Sequence, residues 1–301
     1  MFSDDEVRAL IELQCNFIPS VTSLQRSGEG GEHQAWIIND SYVVRVRDDE
    51  DGYELLQREA LLLESLRSTA TRNGLDQRII PSCLVTGQHK GVAFGVYDKI
   101  RGISVEEVPE AVSQHTEEGL VSVLYLLRKM SLDGARALKL LDEDPIDMPQ
   151  LRRDALVAWE RLISKEQWPP HSKLGQLLQI DETSPDEHVH IVQHADLKGE
   201  HIFVNPDTGR LTGIIDWSDA QIGDPSVDIG GIAISIGAVA AMRIGKHAGY
   251  SNPTIQRGLV VARCNAILLL DETLNVGTDC PIWLLKRQLQ RAMEEESGNI
   301  N

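Results

Sequence analysis

Only four cysteines occur in the 301 residues, Cys15, Cys83, Cys264 and Cys280, and no two form a CxxC pair. That excludes a disulfide framework and a cysteine-based zinc site, and it predicts reduced thiols. Basic residues are scarce: 29 stand against 46 acidic ones, a net charge of −17. Nucleic acid and anionic membrane surfaces both want basic patches, so neither is an expected partner. The longest apolar run, Ile229 to Met242, falls short of the about 20 residues that a bilayer span needs. The start, MFSDDEVRAL, is acidic where a secretory signal would be basic, which predicts a cytoplasmic protein. Internal repeats and low-complexity segments are missing as well.

What is there changes character along the chain. A single core stops growing near this length, so one large domain or two lobes are expected. Residues 4–16 read as an amphipathic helix, and 20–47 as strands around the glycine-rich SGEGGEH. YELLQREALLLESLRS (53–68) reads as a helix, with Leu55, Leu62, Leu63 and Leu66 on one face. CLVTGQHKGVAFGVYDKI (83–100) reads as two strands joined at GQHKG. After Gly102 the pattern is mostly helical, in 117–132, 151–163 and about 255–295, with an acidic, proline-bearing connection at 141–150. The expectation is an α+β, two-lobe fold, with residues 1–100 β-rich and 101–301 mostly helical.

The exception in the helical part is HADLKGEHIFVNPDTGRLTGIIDW (194–217). HIFV and RLTGIID are strand-like, and NPDTG between them is a turn. Folding the strands together about Asp207 and Thr208 puts Asp216 beside residues 199–201, close to His201. Asp196 lies on the loop entering the first strand. Such a gathering suits phosphoryl transfer, where a base orients a hydroxyl and other ligands hold the ion that neutralises phosphate charge. The order His194, Asp196, His201, Asp216 follows the H-x-D-x-x-x-x-N pattern and its later metal-binding aspartate, with a lysine two residues after Asp196.

Residues 194–231 resemble the aminoglycoside and macrolide phosphotransferase family, which has the protein-kinase fold. The resemblance implies a β-rich nucleotide-binding lobe, and a helical lobe with the catalytic loop and acceptor site. It implies Asp196 as catalytic base, with Lys198 beside it, and Mg²⁺ held by His201 and Asp216. His201 stands where most members have asparagine; imidazole is a softer ligand than an amide oxygen, which leaves metal preference open. His194 supports the loop, and Asp224 and Asp228 of GDPSVDIG brace it. ATP or GTP is the implied co-substrate.

The first lobe has candidates for the rest. Ser27, Gly28, Gly30 and Gly31 form a glycine-rich turn that could cover phosphates, although a plain hairpin turn explains it equally. Arg45 in YVVRVR stands where kinases place lysine, and its planar fork is an adequate phosphate clamp. Glu59 falls inside the apolar stripe of its helix, between Leu55 and Leu63. A carboxylate buried there needs a cation, and Arg45 is the natural one. Tyr97, Asp98, Lys99 and Ile100 resemble the hinge whose backbone meets the nucleotide base.

Two rival readings use the same residues. His188 and His190 form an HxH pair, as in metal hydrolases, but too few residues follow for a barrel that needs about 250 in total. A kinase-shaped binding protein would usually lack the base or the metal aspartate, and both are present. For the acceptor, residues 103–150 carry 10 acidic and 4 basic residues. That excess favours a cationic antibiotic, an aminoglycoside, by long-range steering, with a macrolide or another small molecule as the alternative.

Overall fold

The computed structural model describes residues 2–27, 34–179 and 190–295. It divides into two units, Met1–Arg101 with Thr212–Ser218, and Gly102–Leu211 with Asp219–Asn301.

The first unit begins with α1 (Asp4–Gln14), started by a Ser3–Glu6 capping box that satisfies two orphan N–H groups. Then come β1 (Leu24–Ser27), β2 (Gln34–Ile38), β3 (Tyr42–Arg47), α2 (Gly52–Arg72), β4 (Cys83–His89) and β5 (Val92–Asp98). The five strands form an antiparallel sheet in the order β1-β2-β3-β5-β4. Alternation along the strands separates its faces. Trp36, Ile38, Val44, Val46, Phe94 and Val96 join Val7, Leu10 and Ile11 of α1 in one apolar core. Burying each such side chain contributes roughly 1.5–3 kcal/mol. Arg45 lies between Val44 and Val46 and so faces away from that core, as alternation requires. On α2 the buried stripe is Leu56, Glu59, Leu62, Leu63 and Leu66; Leu55, expected on it, is only half-buried.

The second unit holds β6 (Ile103–Ser104), α3 (Gln114–Lys129), α4 (Leu132–Ala137), α5 (Met148–Ser164), α6 (Leu174–Leu177), β7 (Ile191–Gln193) and β8 (Ile202–Val204). β9 (Leu211–Ile214) leaves it, and β10 (Gln221–Gly223), α7 (Ser226–Ile236), α8 (Ala238–His247), α9 (Asn252–Asn275) and α10 (Ile282–Ala292) complete it. β6 pairs with β8, and β7 with β10, all antiparallel. The core lies among α5, α9 and α10, around Trp159, Leu162, Val260, Ile267, Leu285 and Leu289. α7 and α9 approach closely because glycines face each other there. A Cβ at Gly258 would lie 2.8 Å from Ile229 Cγ2, and one at Gly230 would lie 3.0 Å from the Gly258 carbonyl.

The apolar run from Ile229 to Met242 is two helices, broken at Gly237, whose φ of 104° only glycine adopts freely. Among the described residues, no helix is long and apolar enough to cross a membrane. The sequence division near residue 100 assigns 212–218 to the helical part. In the structure these residues cluster with the sheet unit, where Asp216 meets Arg45, and Arg58 donates to the Ser218 carbonyl at 3.1 Å.

Candidate active site

In the first unit the chemistry centres on Arg45. Its register partner across the sheet is Gly95. A Cβ at Gly95 would lie 2.8 Å from the Tyr97 hydroxyl, so the missing side chain leaves room for that ring beside Arg45. Arg45 Nη1 donates to Glu59 Oε1 at 2.6 Å, and Nη2 to Asp216 Oδ1 at 3.1 Å. The Tyr97 hydroxyl donates to Glu59 Oε2 at 3.3 Å, and the guanidinium lies 5.9 Å from the Tyr97 ring centroid. Arg45 and Glu59 are both buried. Burial opposes the arginine's charge, but Glu59, Tyr97 and Asp216 raise its pKa above the ordinary value. Burial, then Glu59, pushes the Tyr97 phenol well above its usual range. The same two causes push the Cys83 thiol to about 12, which keeps it protonated and unreactive.

Asp216 follows β9 with φ 61°, a left-handed conformation that aspartate tolerates better than most residues. Ser218 Oγ donates to its Oδ1 at 2.9 Å. Strain of this kind concentrates at ligand clamps and catalytic groups. Of the expected hinge, Tyr97 contributes its side chain to the Arg45 cluster. The N–H groups of Asp98 and Lys99 already donate, to Ser82 O at 3.0 Å and Ser41 O at 2.9 Å. Ile100 packs on Gly213, where a Cβ would lie 2.6 Å from its Cγ2. Ser27 ends β1 opposite Ala35, while Gly28, Gly30 and Gly31 lie outside the described residues.

In the second unit the loop after β7 is held mainly through its backbone. Ala195 has φ 68°, again left-handed. The His194 and Ala195 N–H groups donate to the two oxygens of the Asp228 carboxylate, both at 2.9 Å. Asp228 is buried in the first turn of α7, and burial raises its pKa to about 6 against those two hydrogen bonds. The Asp196 N–H donates to His194 Nδ1 at 3.3 Å, so the buried His194 ring carries its proton on Nε2. Lys198 Nζ lies 3.0 Å from Asp196 Oδ2. His201 Nδ1 is 2.9 Å from the Asp196 carbonyl oxygen and 3.4 Å from its carboxylate. The shorter contact makes Nδ1–H the donor to the carbonyl and leaves Nε2 as the nitrogen with a lone pair.

Below the loop, a Cβ at Gly231 of α7 would lie 2.5 Å from the Leu197 carbonyl, so α7 supports the loop directly. A Cβ at Gly199 would lie 2.8 Å from Glu106 Oε2. Glu106 is buried between Arg287 and Arg291 of α10, at 2.8 and 2.6 Å. Asp224 forms a two-toothed, buried ion pair with Arg257 at 2.6 and 3.1 Å. The Glu106 and Asp224 partners carry no local signal in the sequence. His190 meets Asp142 at 3.2 Å, and His188 lies outside the described residues.

Taken singly, Asp216 offers the carboxylate oxygens that Mg²⁺ usually takes beside substrate phosphates, and His201 offers an imidazole nitrogen, a softer donor. Among the described residues, no three His, Cys, Asp or Glu side chains gather to hold a metal by themselves.

An antiparallel-sheet unit and a helical unit with such a loop define a mixed α/β fold of the protein-kinase-like type. The model of the phosphotransferase enzyme family (APH) matches residues 23–259. The chain belongs to that family and is a phosphotransferase. It is similar in structure to a GDP complex of aminoglycoside 2'-phosphotransferase-IIIa, at 20% identity, with 97% of this chain and 98% of that chain covered and a TM-score of 0.70. It is also similar to a macrolide 2'-phosphotransferase type I, at 17% identity, 98% and 99% coverage and a TM-score of 0.57. A third likeness is to macrolide 2'-phosphotransferase MphH from Brachybacterium faecium, at 16% identity, 96% and 99% coverage and a TM-score of 0.59. No curated protein sequence matches the chain.

Proposed function

We propose that the protein transfers the γ-phosphoryl group of ATP or GTP to a hydroxyl of an aminoglycoside. The observation that carries this reading is the loop at Asp196. Its carboxylate is one-third exposed, held by Lys198, and mounted on a backbone fixed by Asp228, His194 and His201. A base must be placed before it can act, and this one is placed by four neighbouring residues. Asp196 takes the hydroxyl's proton as the acceptor oxygen bonds to the γ-phosphorus and the bond from that phosphorus to the β-phosphate's bridging oxygen breaks, releasing nucleoside diphosphate. Lys198 keeps the carboxylate turned toward the incoming hydroxyl. Arg45, charged and fixed by Glu59, binds phosphate oxygens. His201 and Asp216 would hold Mg²⁺, which when bound would supply charge neutralisation on the phosphates.

Ser27, Gly28, Gly30 and Gly31 cover the phosphates in this reading, and residues 97–100 meet the base. Since Asp98 and Lys99 use their N–H groups internally, the base would be met there by carbonyls or by Ile100.

The charge argument for the acceptor is weaker in the structure than in the sequence. Of the acidic residues in 103–150, Glu106 is neutralised by Arg287 and Arg291, Glu117 pairs with Arg243, and Asp142 pairs with Arg136 and His190. A macrolide acceptor is the second reading, and the observation on its side is the apolar surface of Trp283, exposed near the start of α10 with Arg287 5.0 Å from its ring. Nucleotide consumption should be measured with ATP and GTP over aminoglycosides, macrolides and small amino alcohols. Turnover with aminoglycosides supports the proposal; turnover with macrolides alone replaces it. Nucleotide binding without transfer to any acceptor in the screen defeats both.

A further inference from the structure

A cavity of about 280 Å³ in the first unit is lined by Arg67, Arg78, Lys99 and Arg101, by the single carboxylate Asp98, and by Thr212. Four cations around one small space stand out in a chain of net charge −17. Their partners sort them. Arg78 pairs with Asp76, and Lys99 with Asp40, so each brings its own counter-charge. Arg67 forms no ion pair among the described residues: its Nη1 donates to the carbonyls of Gln77 and Ile80, at 3.1 and 2.7 Å, which are neutral acceptors, and it acts on Asp76 only at a distance. Arg101 makes no hydrogen bond or ion pair among the described residues, and it acts on Asp40 only at a distance. Independently, Thr212 Oγ1 is buried without a hydrogen-bond partner among the described residues. A buried hydroxyl without a partner is uncommon enough to require an explanation.

We propose that this cavity binds a small dianion of the phosphate class, inorganic phosphate or a short phosphate monoester, through Arg67, Arg101 and the Thr212 hydroxyl. The cations supply charge-assisted donors, and the hydroxyl supplies a directed one. The volume, about 280 Å³, suits a small anion. Arg67 belongs to α2, which carries Glu59, and Thr212 to β9, which leads to Asp216. A bound dianion ties these two elements together and stiffens the frame that holds Arg45.

Thermal unfolding of the full-length protein tests this, with sodium phosphate, glycerol phosphate, succinate and sodium chloride compared at one ionic strength. The wild type should gain Tm with phosphate in a saturable way, and chloride should give no such gain. Arg101→Glu and Thr212→Val should each weaken the apparent affinity, by about tenfold or more for the charge reversal. Arg101 is exposed, and Arg101→Ser, with ³¹P line broadening as a second readout, covers a poorly folding variant. A larger gain with glycerol phosphate than with inorganic phosphate identifies a monoester as the occupant. No phosphate-specific gain in the wild type overturns the proposal. So does an undiminished gain in all three variants, which would place the phosphate elsewhere, or an equal gain with succinate, which would remove the phosphate class.

Discussion

Arg45 in the sheet unit and Asp196 in the helical unit are both held in place, but by different means. Arg45 is fixed by side chains: Glu59 and Asp216 as ion-pair partners, with the Tyr97 ring alongside. Asp196 is fixed mainly by backbone: the N–H groups around it end on Asp228 and His194, and its carbonyl accepts from His201. The first device sets a charge and the direction of a planar fork. The second sets the position of a short carboxylate and leaves it one-third exposed. A phosphate clamp needs the former and a base that meets incoming acceptors needs the latter.

The largest effect should come from the centre of the backbone-held site. Asp196→Asn keeps the loop's hydrogen bonds but removes the proton acceptor. Its kcat should fall by about 10²–10⁴-fold. Folding and nucleotide affinity, read by calorimetry, should stay near wild type. Wild-type kcat in this variant would take Asp196 out of the mechanism.

Next comes the side-chain site. Glu59→Ala leaves a buried guanidinium with Asp216 as its remaining ion-pair partner. Breaking such a pair costs roughly 3–5 kcal/mol of stability. Urea unfolding should show that loss, and KM for the nucleotide should rise. The double replacement Arg45→Met with Glu59→Leu should regain much of the stability, because an apolar pair avoids desolvation. It should not regain transfer activity. Recovery of both would mean that the pair serves the core rather than phosphate binding.

The two sites also differ in how far they can be read from sequence. Glu59 interrupts an apolar stripe, so its need for a cation is a local signal, and Arg45 on a nearby strand supplies one. Tyr97 was legible only as a hinge residue. Its contact with Glu59 depends on strand register, which places Gly95 opposite Arg45 and frees space for the ring. Asp228 was legible as a brace because its segment resembles a family motif. The buried Asp224–Arg257 pair spans 33 residues, and Glu106–Arg287 spans 181, with no periodicity to announce either. The break at Gly237 was hidden because the residues around it form one continuous apolar run.

A pH series sharpens the comparison further. The Asp228 carboxylate has an ordinary value of 3.8, and burial raises it to about 6 in the folded chain. As pH falls through about 6 it takes up a proton, and one of its oxygens then presents O–H to a backbone N–H. The loop relaxes, so kcat should fall several-fold from neutral pH to pH 5. Stability runs the other way. A raised carboxyl value contributes stability that is fully present below about 4 and is lost as pH rises through about 6. Asp228→Asn should lower kcat at neutral pH and flatten both profiles between about 4 and 6. An acid limb unchanged by that substitution would assign the limb to another group.

The smallest effect is expected at His201, on the margin of the backbone-held site. Its Nδ1 donates to the Asp196 carbonyl, which leaves Nε2 as the nitrogen that would ligate an ion in the proposed function. Asparagine could preserve half of this arrangement, since its amide can donate to the same carbonyl while its oxygen faces an ion. His201→Asn should therefore fold normally and change kcat with Mg²⁺ by less than about tenfold, or 1.4 kcal/mol in barrier. What should move is metal preference. Imidazole nitrogen suits Zn²⁺, Fe²⁺ and Ni²⁺ better than an amide oxygen does, so activity with those ions relative to Mg²⁺ should drop several-fold. The measurement is initial rate with each ion at saturating nucleotide and acceptor. An unchanged metal profile would remove His201 from the ion's ligands. A loss as deep as that of Asp196→Asn would instead make His201 a positioning residue for the base, acting through its contact with the Asp196 carbonyl.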